Sequence, residues 1–329
     1  VTSAGITRVQ HRLLGNTNME VSRVCCGTMA MCPHKTYGEP DDEASIGAVH
    51  AALDAGINFF DTAEAYGDGY AEKILGRALK GRRSEAVVAT KVSSNHLGRE
   101  DLVSACEASL KRLETDYIDL YQVHWPNHDI SFSETAEGLE ELRRKGKIRH
   151  WGVSNFGEGD LQDALEAGEP ESNQLPYNLL WRVIEHRVLP LCIQEEVGVI
   201  CYSPLAQGIL TGKFESPGEV PPARKRPRYC DEAVVDLSFR VVGELRRISD
   251  QIHEPVACVA LAWLLAQRGV ASVIAGVRNA EQVTQNARAG NLELPAGIVE
   301  RLREASEPLK QSLDEDPDMW QEGAESRYR

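Results

Sequence analysis

The chain has 329 residues, 42% hydrophobic and 26% charged, the balance of a folded globular protein and not of a collagen-like, low-complexity or disordered one. Its 36 Lys and Arg against 50 Asp and Glu leave a formal charge of −14, which argues against nucleic acid or an anionic membrane as a partner. No apolar run approaches the length of a membrane span, and the first twelve residues lack the apolar stretch of a secretory signal.

Short apolar runs alternate with amphipathic stretches along the chain. Residues 24–27 read as the first strand, and 43–55 as a helix with Ile46, Val49, Ala52 and Leu53 on one face. Residues 58–61 and 86–91 read as strands, and 101–113 as a helix with Leu102, Ala105, Cys106, Leu110 and Leu113 turned inward. A strand over 117–124 precedes a helix over 133–145. Residues 150–155, 172–175, 199–203 and 272–276 complete eight strands. Gly56 and Gly146 stand where two of the helices should stop. Continuous apolar strands separated by helices predict a parallel sheet covered on both faces. Eight such units without a compositional break predict one domain over residues 1–329, an α/β (β/α)8 TIM barrel.

The long gap from 204 to 271 should hold an extra loop and extra helices before the eighth strand. Its Pro-rich basic part, 216–228, is the loop, and Arg224-Lys225-Arg226-Pro227-Arg228 reads as a solvated turn or a local anion clamp. A helix over 294–306 is appended to the barrel, and the acidic tail 314–329 is expected to be mobile. The eight cysteines read as reduced thiols of a cytoplasmic protein, with Cys106, Cys201 and Cys258 as small core residues.

Several motif-like stretches fail on spacing. Gly208 to Lys213 is one residue short of a phosphate loop and lacks the following Ser or Thr. Gly67-Asp68-Gly69 and Gly157-Glu158-Gly159 lack the third glycine of a dinucleotide turn. His124 and His128 are separated by Pro126, and Cys32-Pro33-His34 has no partner motif, so no metal is expected.

In a (β/α)8 barrel the chemistry lies where strands end. The strands end in Asp61, with Tyr66 behind it, then Lys91, His124, Ser154-Asn155, Gln174, Tyr202-Ser203 and Gly276-Val277-Arg278. Tyr, Lys, Asp and His at one mouth form an acid–base set. A free tyrosine has a pKa of about 10. A neighbouring Lys cation should lower it, and an Asp should hold that cation in place. His124 can donate a hydrogen bond to the same substrate oxygen.

These residues, within Asn58-Phe-Phe-Asp-Thr-Ala-Glu-Ala-Tyr-Gly67, Ala89-Thr-Lys91, Tyr117-Ile-Asp-Leu-Tyr-Gln-Val-His124-Trp125 and Lys147-Ile-Arg-His-Trp-Gly-Val-Ser-Asn-Phe156, resemble the aldo-keto reductases. Gln174-Leu-Pro-Tyr-Asn178, Tyr202-Ser-Pro-Leu-Ala-Gln-Gly-Ile-Leu-Thr-Gly-Lys213 and Gly276-Val-Arg-Asn-Ala-Glu-Gln282 with Asn286 extend the likeness over nearly the whole chain. It is similar to the bacterial sugar- and aldehyde-reducing branches and to the potassium-channel β-subunit-like branch.

The resemblance implies NADP(H)-dependent reduction of an aldehyde, ketone or keto-sugar. Tyr66 would be the proton donor, Lys91 and Asp61 its tuners, and His124 the carbonyl-orienting group. Ser154, Asn155 and Gln174 would hold the nicotinamide carboxamide, and Tyr202 would stack on its ring. Ser203, Leu205, Gln207 and Lys213 would wrap the pyrophosphate. Arg278 and Gln282 would meet the 2′-phosphate and Asn286 the adenine, which favours NADPH over NADH. Gly27, Thr28, Met29, Asp61 and Gly276 complete the cofactor set. Met29, His34, Tyr66, His124, Trp125, Asn155 and the 216–230 loop would line the substrate pocket. The partner is then a small carbonyl compound or sugar. Two other readings share these residues: a redox sensor that binds NADP(H), and a sugar-modifying enzyme that retains its cofactor and transfers hydride transiently.

Overall fold

A computed structural model describes residues 8–34, 38–321 and 323–329. A two-stranded antiparallel hairpin, β1 (His11–Leu13) and β2 (Glu20–Ser22), comes first. The barrel strands are β3 (Val24–Gly27), β4 (Phe59–Asp61), β5 (Val87–Val92), β6 (Ile118–Val123), β7 (Ile148–Ser154), β8 (Ser172–Pro176), β9 (Gly198–Tyr202) and β10 (Val270–Gly276). They run parallel in sequence order and close by pairing β10 with β3. All eight sequence-predicted strands are present, within a few residues of their expected limits.

The surrounding helices are α1 (Asp42–Asp54), α2 (Tyr70–Leu79), α3 (Arg99–Leu113), α4 (Phe132–Arg144), α5 (Glu158–Ala167), α6 (Val188–Gln194), α7 (Val235–Ile252), α8 (Val256–Leu265), α9 (Ala280–Asn291) and α10 (Ala296–Ser312). The extra helices before β10 are α7 and α8, and short 3₁₀ turns carry the basic loop. The α10 helix runs through Pro308 to Ser312, beyond the limit of 306 expected from the sequence. Cys106, Cys201 and Cys258 lie in the core as expected, and all eight cysteines are free thiols.

The two-residue period of a strand sorts the barrel interior. Cys25, Phe59, Ala89, Leu120 and Ile200 form a buried apolar layer, joined by Leu14, Met19 and Val21 from around the hairpin. Two residues further along the same strands stand Asp61, Lys91, Gln122 and Tyr202. The barrel thus has a sealed apolar floor and a polar mouth. The hairpin was not foreseen, because its three-residue strands are too short to show a period.

The tail departs most from expectation. Residues 314–321 and 323–329 are not a mobile appendage but pack back across the mouth. Asp318 and Met319 are wholly buried and Tyr328 nearly so. The Arg228 guanidinium holds the Asp314 carboxylate at 2.5 Å and reaches the carbonyl of Asp318, while Arg228 N–H donates to the Met319 carbonyl. Paired ions offset the repulsion expected of an acidic tail.

Candidate functional site at the barrel mouth

Lys91, wholly buried at the end of β5, organises the site. Its ammonium donates to Asp61 Oδ1 at 2.7 Å, to the Thr62 carbonyl at 2.8 Å and to the Tyr66 hydroxyl at 3.2 Å. Three acceptors for three protons leave no donor unsatisfied. Burial alone would discharge this lysine, but Asp61 and Tyr66 outweigh it and raise its pKa. It is a permanent cation at neutral pH.

Tyr66 stands on the turn after β4, its ring edge-to-face with His124 at 5.9 Å. Here the structure corrects the sequence reading. Enclosure of the hydroxyl pushes its pKa up, and Lys91 pulls it down by less, so the net shift is upward. The phenol is therefore kept protonated. Burial, with the Lys91 cation second, drives the His124 imidazole down to about 3, so it is neutral near pH 7. Asp61, Tyr66, Lys91 and His124 converge as expected, with Tyr66 and His124 neutral.

The expected nicotinamide-holding residues lie beside them. Ser154 Oγ donates to the Gln174 carbonyl, and Asn155 Nδ2 donates to the His124 carbonyl and to Ser154 Oγ. Gln174 Nε2 donates to Asp61 Oδ2 at 2.8 Å, so its amide fixes the carboxylate as well as facing the mouth. Gln122, which sequence reading missed, faces the same amide at 3.4 Å. Its place two residues before His124 was the available signal. Thr28 is tied by amide and hydroxyl to the Asp61 carbonyl, and this seats the Gly27–Met29 turn. Met29 is exposed and His34 and Trp125 half-exposed around the opening.

The segment after β9 forms a cradle. Ser203, Ala206 and Gln207 all take left-handed φ without being glycine, as does Asn155. Such strain persists only where surrounding structure enforces it. Gly208, at φ +90°, has Lys213 Nζ and Arg224 Nη1 at 3.1 and 2.9 Å from where a Cβ would stand. Burial, then the cations of Arg224 and Arg278, lower the Lys213 pKa. Among the described residues no carboxylate pairs with these three cations. Converging positive charge without a counter-ion is what a phosphate group needs. The exposed Arg278 and the adjoining N-terminus of α9, capped by Asn279, extend that field. Gln282 Oε1 accepts from Arg278 N–H, and Asn286 lies buried one turn on. Arg224 thus joins this cluster of cations, whereas Arg228 anchors the tail.

His128 sits outside the barrel, paired with Asp160 at 2.8 Å. Among the described residues no cluster of His, Cys, Asp and Glu could hold a metal, and no helix is long and apolar enough to cross a membrane.

A buried Lys91–Asp61 pair beside Tyr66 and His124, with converging cations at the same barrel mouth, suits a barrel oxidoreductase. The model for the aldo/keto reductase family matches residues 23–307, and the chain belongs to that family. The aldo-keto reductase YhdN of Bacillus subtilis is 35% identical over 293 residues, 84% of this chain and 87% of that protein. The methylglyoxal reductase YeaE of Escherichia coli is 35% identical over 266 residues, 80% of this chain and 84% of its own length. The crystal structure of an aldo/keto reductase from Klebsiella pneumoniae in complex with NADP and acetate superposes with a TM-score of 0.74 at 31% identity, covering 91% of this chain and 95% of that one.

Proposed function

We propose that this protein reduces the carbonyl of a small aldehyde, ketone or keto-sugar to an alcohol with NADPH, and that Tyr66 delivers the proton. The observation that carries this reading is the Lys91 ammonium held between Asp61 and the Tyr66 hydroxyl beside a neutral His124. The NADP-bound Klebsiella structure and the methylglyoxal reductase support the cofactor and the reaction class.

NADP(H), when bound, supplies the hydride. Lys213 and Arg224 would hold its pyrophosphate and Arg278 its 2′-phosphate, because no carboxylate among the described residues pairs with these cations. Asn155, with Ser154 and Gln174 behind it, would orient the carboxamide. A substrate oxygen beside Tyr66 and His124 gains negative charge as its carbon is reduced. Tyr66 gives that oxygen a proton, and Lys91, pinned by Asp61, stabilises the phenolate left behind. Gln174 keeps Asp61 in register for this task. Neutral His124 donates a hydrogen bond to the same oxygen and adds no competing charge.

NADPH oxidation measured with methylglyoxal, simple ketones and keto-sugars, with product analysis, tests the reading. NADPH loss matched mole for mole by alcohol is expected, with a lower KM for NADPH than for NADH that Arg278→Ala erases. Absence of turnover on every carbonyl would overturn it.

A further inference from the structure

Asn155 uses its whole hydrogen-bonding capacity. Both amide protons are given away, to the His124 carbonyl at 2.9 Å and to Ser154 Oγ at 3.1 Å. Its Oδ1 accepts from the Tyr202 hydroxyl at 2.8 Å and from the Tyr328 hydroxyl at 2.8 Å. A side-chain amide makes four hydrogen bonds at most, and all four are made. Three of these partners belong to the barrel: His124 follows β6, Ser154 ends β7 and Tyr202 ends β9. Only Tyr328 arrives on a separate piece of chain.

That piece is held at several points. The Arg327 guanidinium lies 3.5 Å over the Trp125 ring and grips buried Asp318 through two nitrogens. The Tyr328 ring meets Trp125 edge-on at 5.7 Å, next to His124 in the chain. Beyond it, Arg329 N–H donates to Asp160 Oδ2 at 2.7 Å, and its guanidinium pairs with Asp160 and Asp163. The Arg329 carbonyl accepts from Gly159 N–H at 2.8 Å. A Cβ on Gly157 would stand 2.2 Å from that carbonyl oxygen. The Gly157-Glu158-Gly159 sequence, which failed as a dinucleotide turn, is thus shaped to receive the tail.

We propose that Tyr328 is an internal occupant of the nicotinamide subsite: its hydroxyl holds on Asn155 the place that the cofactor carboxamide takes, so tail docking and NADP(H) binding compete. The inference rests on the proposed placement of the carboxamide at Asn155. A carboxamide N–H can reach Asn155 Oδ1 only by displacing a tyrosine hydroxyl, and Tyr202 is fixed by its strand. The Tyr328 ring also fills space against Trp125 that a carbonyl substrate would use. Cofactor binding therefore dislodges Tyr328 and opens the substrate pocket in the same movement. A ligand that binds only one of two states shifts the balance toward it.

Three measurements on the whole chain test this. Tyr328→Phe keeps the ring but removes the competing hydrogen bond, so NADPH, titrated by quenching of protein fluorescence, should bind about 2- to 10-fold more tightly. Trypsin cleavage after Arg327, followed by mass spectrometry, should be faster in wild type saturated with NADP⁺ than without it. Asn155→Ala made in the Tyr328→Phe background, where no competing hydroxyl is left to release, should weaken NADPH binding relative to Tyr328→Phe. If it does not, the carboxamide is not at Asn155, and both the placement and the competition fall. If it does, but Tyr328→Phe binds no more tightly than wild type, or NADP⁺ does not speed the cleavage, the placement stands and the competition is wrong.

Discussion

The two ends of this barrel are built from the same strands and do opposite work. At the floor, Phe59, Ala89, Leu120 and Ile200 meet Leu14 and Val21 in a layer without charge. Two residues along, the mouth carries Asp61, Lys91, Gln122 and Tyr202. The floor supplies stability through apolar burial, and its packing lets the mouth hold a buried ion pair that hydrophobic replacement could well match in stability. The mouth instead keeps groups whose charge states are set by their neighbours, which is what proton transfer requires. Separation by one strand period lets either end change with little effect on the other.

Lys91→Met should give the largest effect and tests whether the mouth's charge is functional. It strands Asp61 in a buried site, so carbonyl reduction should fall by about 10⁴-fold or more and unfolding free energy by about 3–5 kcal/mol. A variant that loses stability but retains turnover would break the assignment of the ion pair to chemistry. Tyr66→Phe should lower the reduction rate by at least about 10²-fold while NADPH still binds, since the contacts proposed for its carboxamide and phosphates lie at β7 to β10. Wild-type turnover in this variant, measured under saturating cofactor, would remove Tyr66 from its role.

At the floor, Leu14→Ala should cost about 3 kcal/mol in denaturant unfolding and leave kcat/KM at 25 °C unchanged. A fall in kcat/KM without a fall in stability would show that the two ends are coupled. Arg224→Ala should weaken NADPH binding roughly tenfold by removing one charge-assisted phosphate contact, with kcat little altered.

A further effect is in pH. His124 has a folded-state pKa of about 3, below the unfolded value of about 6.5, so between these limits only the unfolded chain binds the proton. Stability from this group is therefore complete above about pH 6.5 and lost as pH falls toward 3, at no more than about 1.4 kcal/mol per pH unit. His124→Gln should flatten that part of the curve in urea melts from pH 7 to pH 4. An unchanged slope would assign acid sensitivity to the floor or the surface.

Much of this was legible in the chain. A strand period and a helix period are local, so the eight barrel strands and the helices α1, α3 and α4 could be read to within a few residues. Asp61, Lys91, His124 and Asn155 follow from the rule that places chemistry at strand ends, because the strands themselves were legible. Tertiary structure decided the rest. The sign of the Tyr66 shift depends on how completely the folded mouth encloses the hydroxyl, which no spacing records. Arg224 and Lys213 meet over Gly208 only because the loop folds back, and among neighbouring basic residues the fold sends Arg224 to this cluster of cations and Arg228 to the tail. The tail's seat was the least legible feature, since an acidic stretch without a period reads as solvated chain. Its anchors, Arg228, Asp160, Trp125 and Asn155, lie between 86 and 203 residues away in sequence, and only the closed barrel brings them within reach.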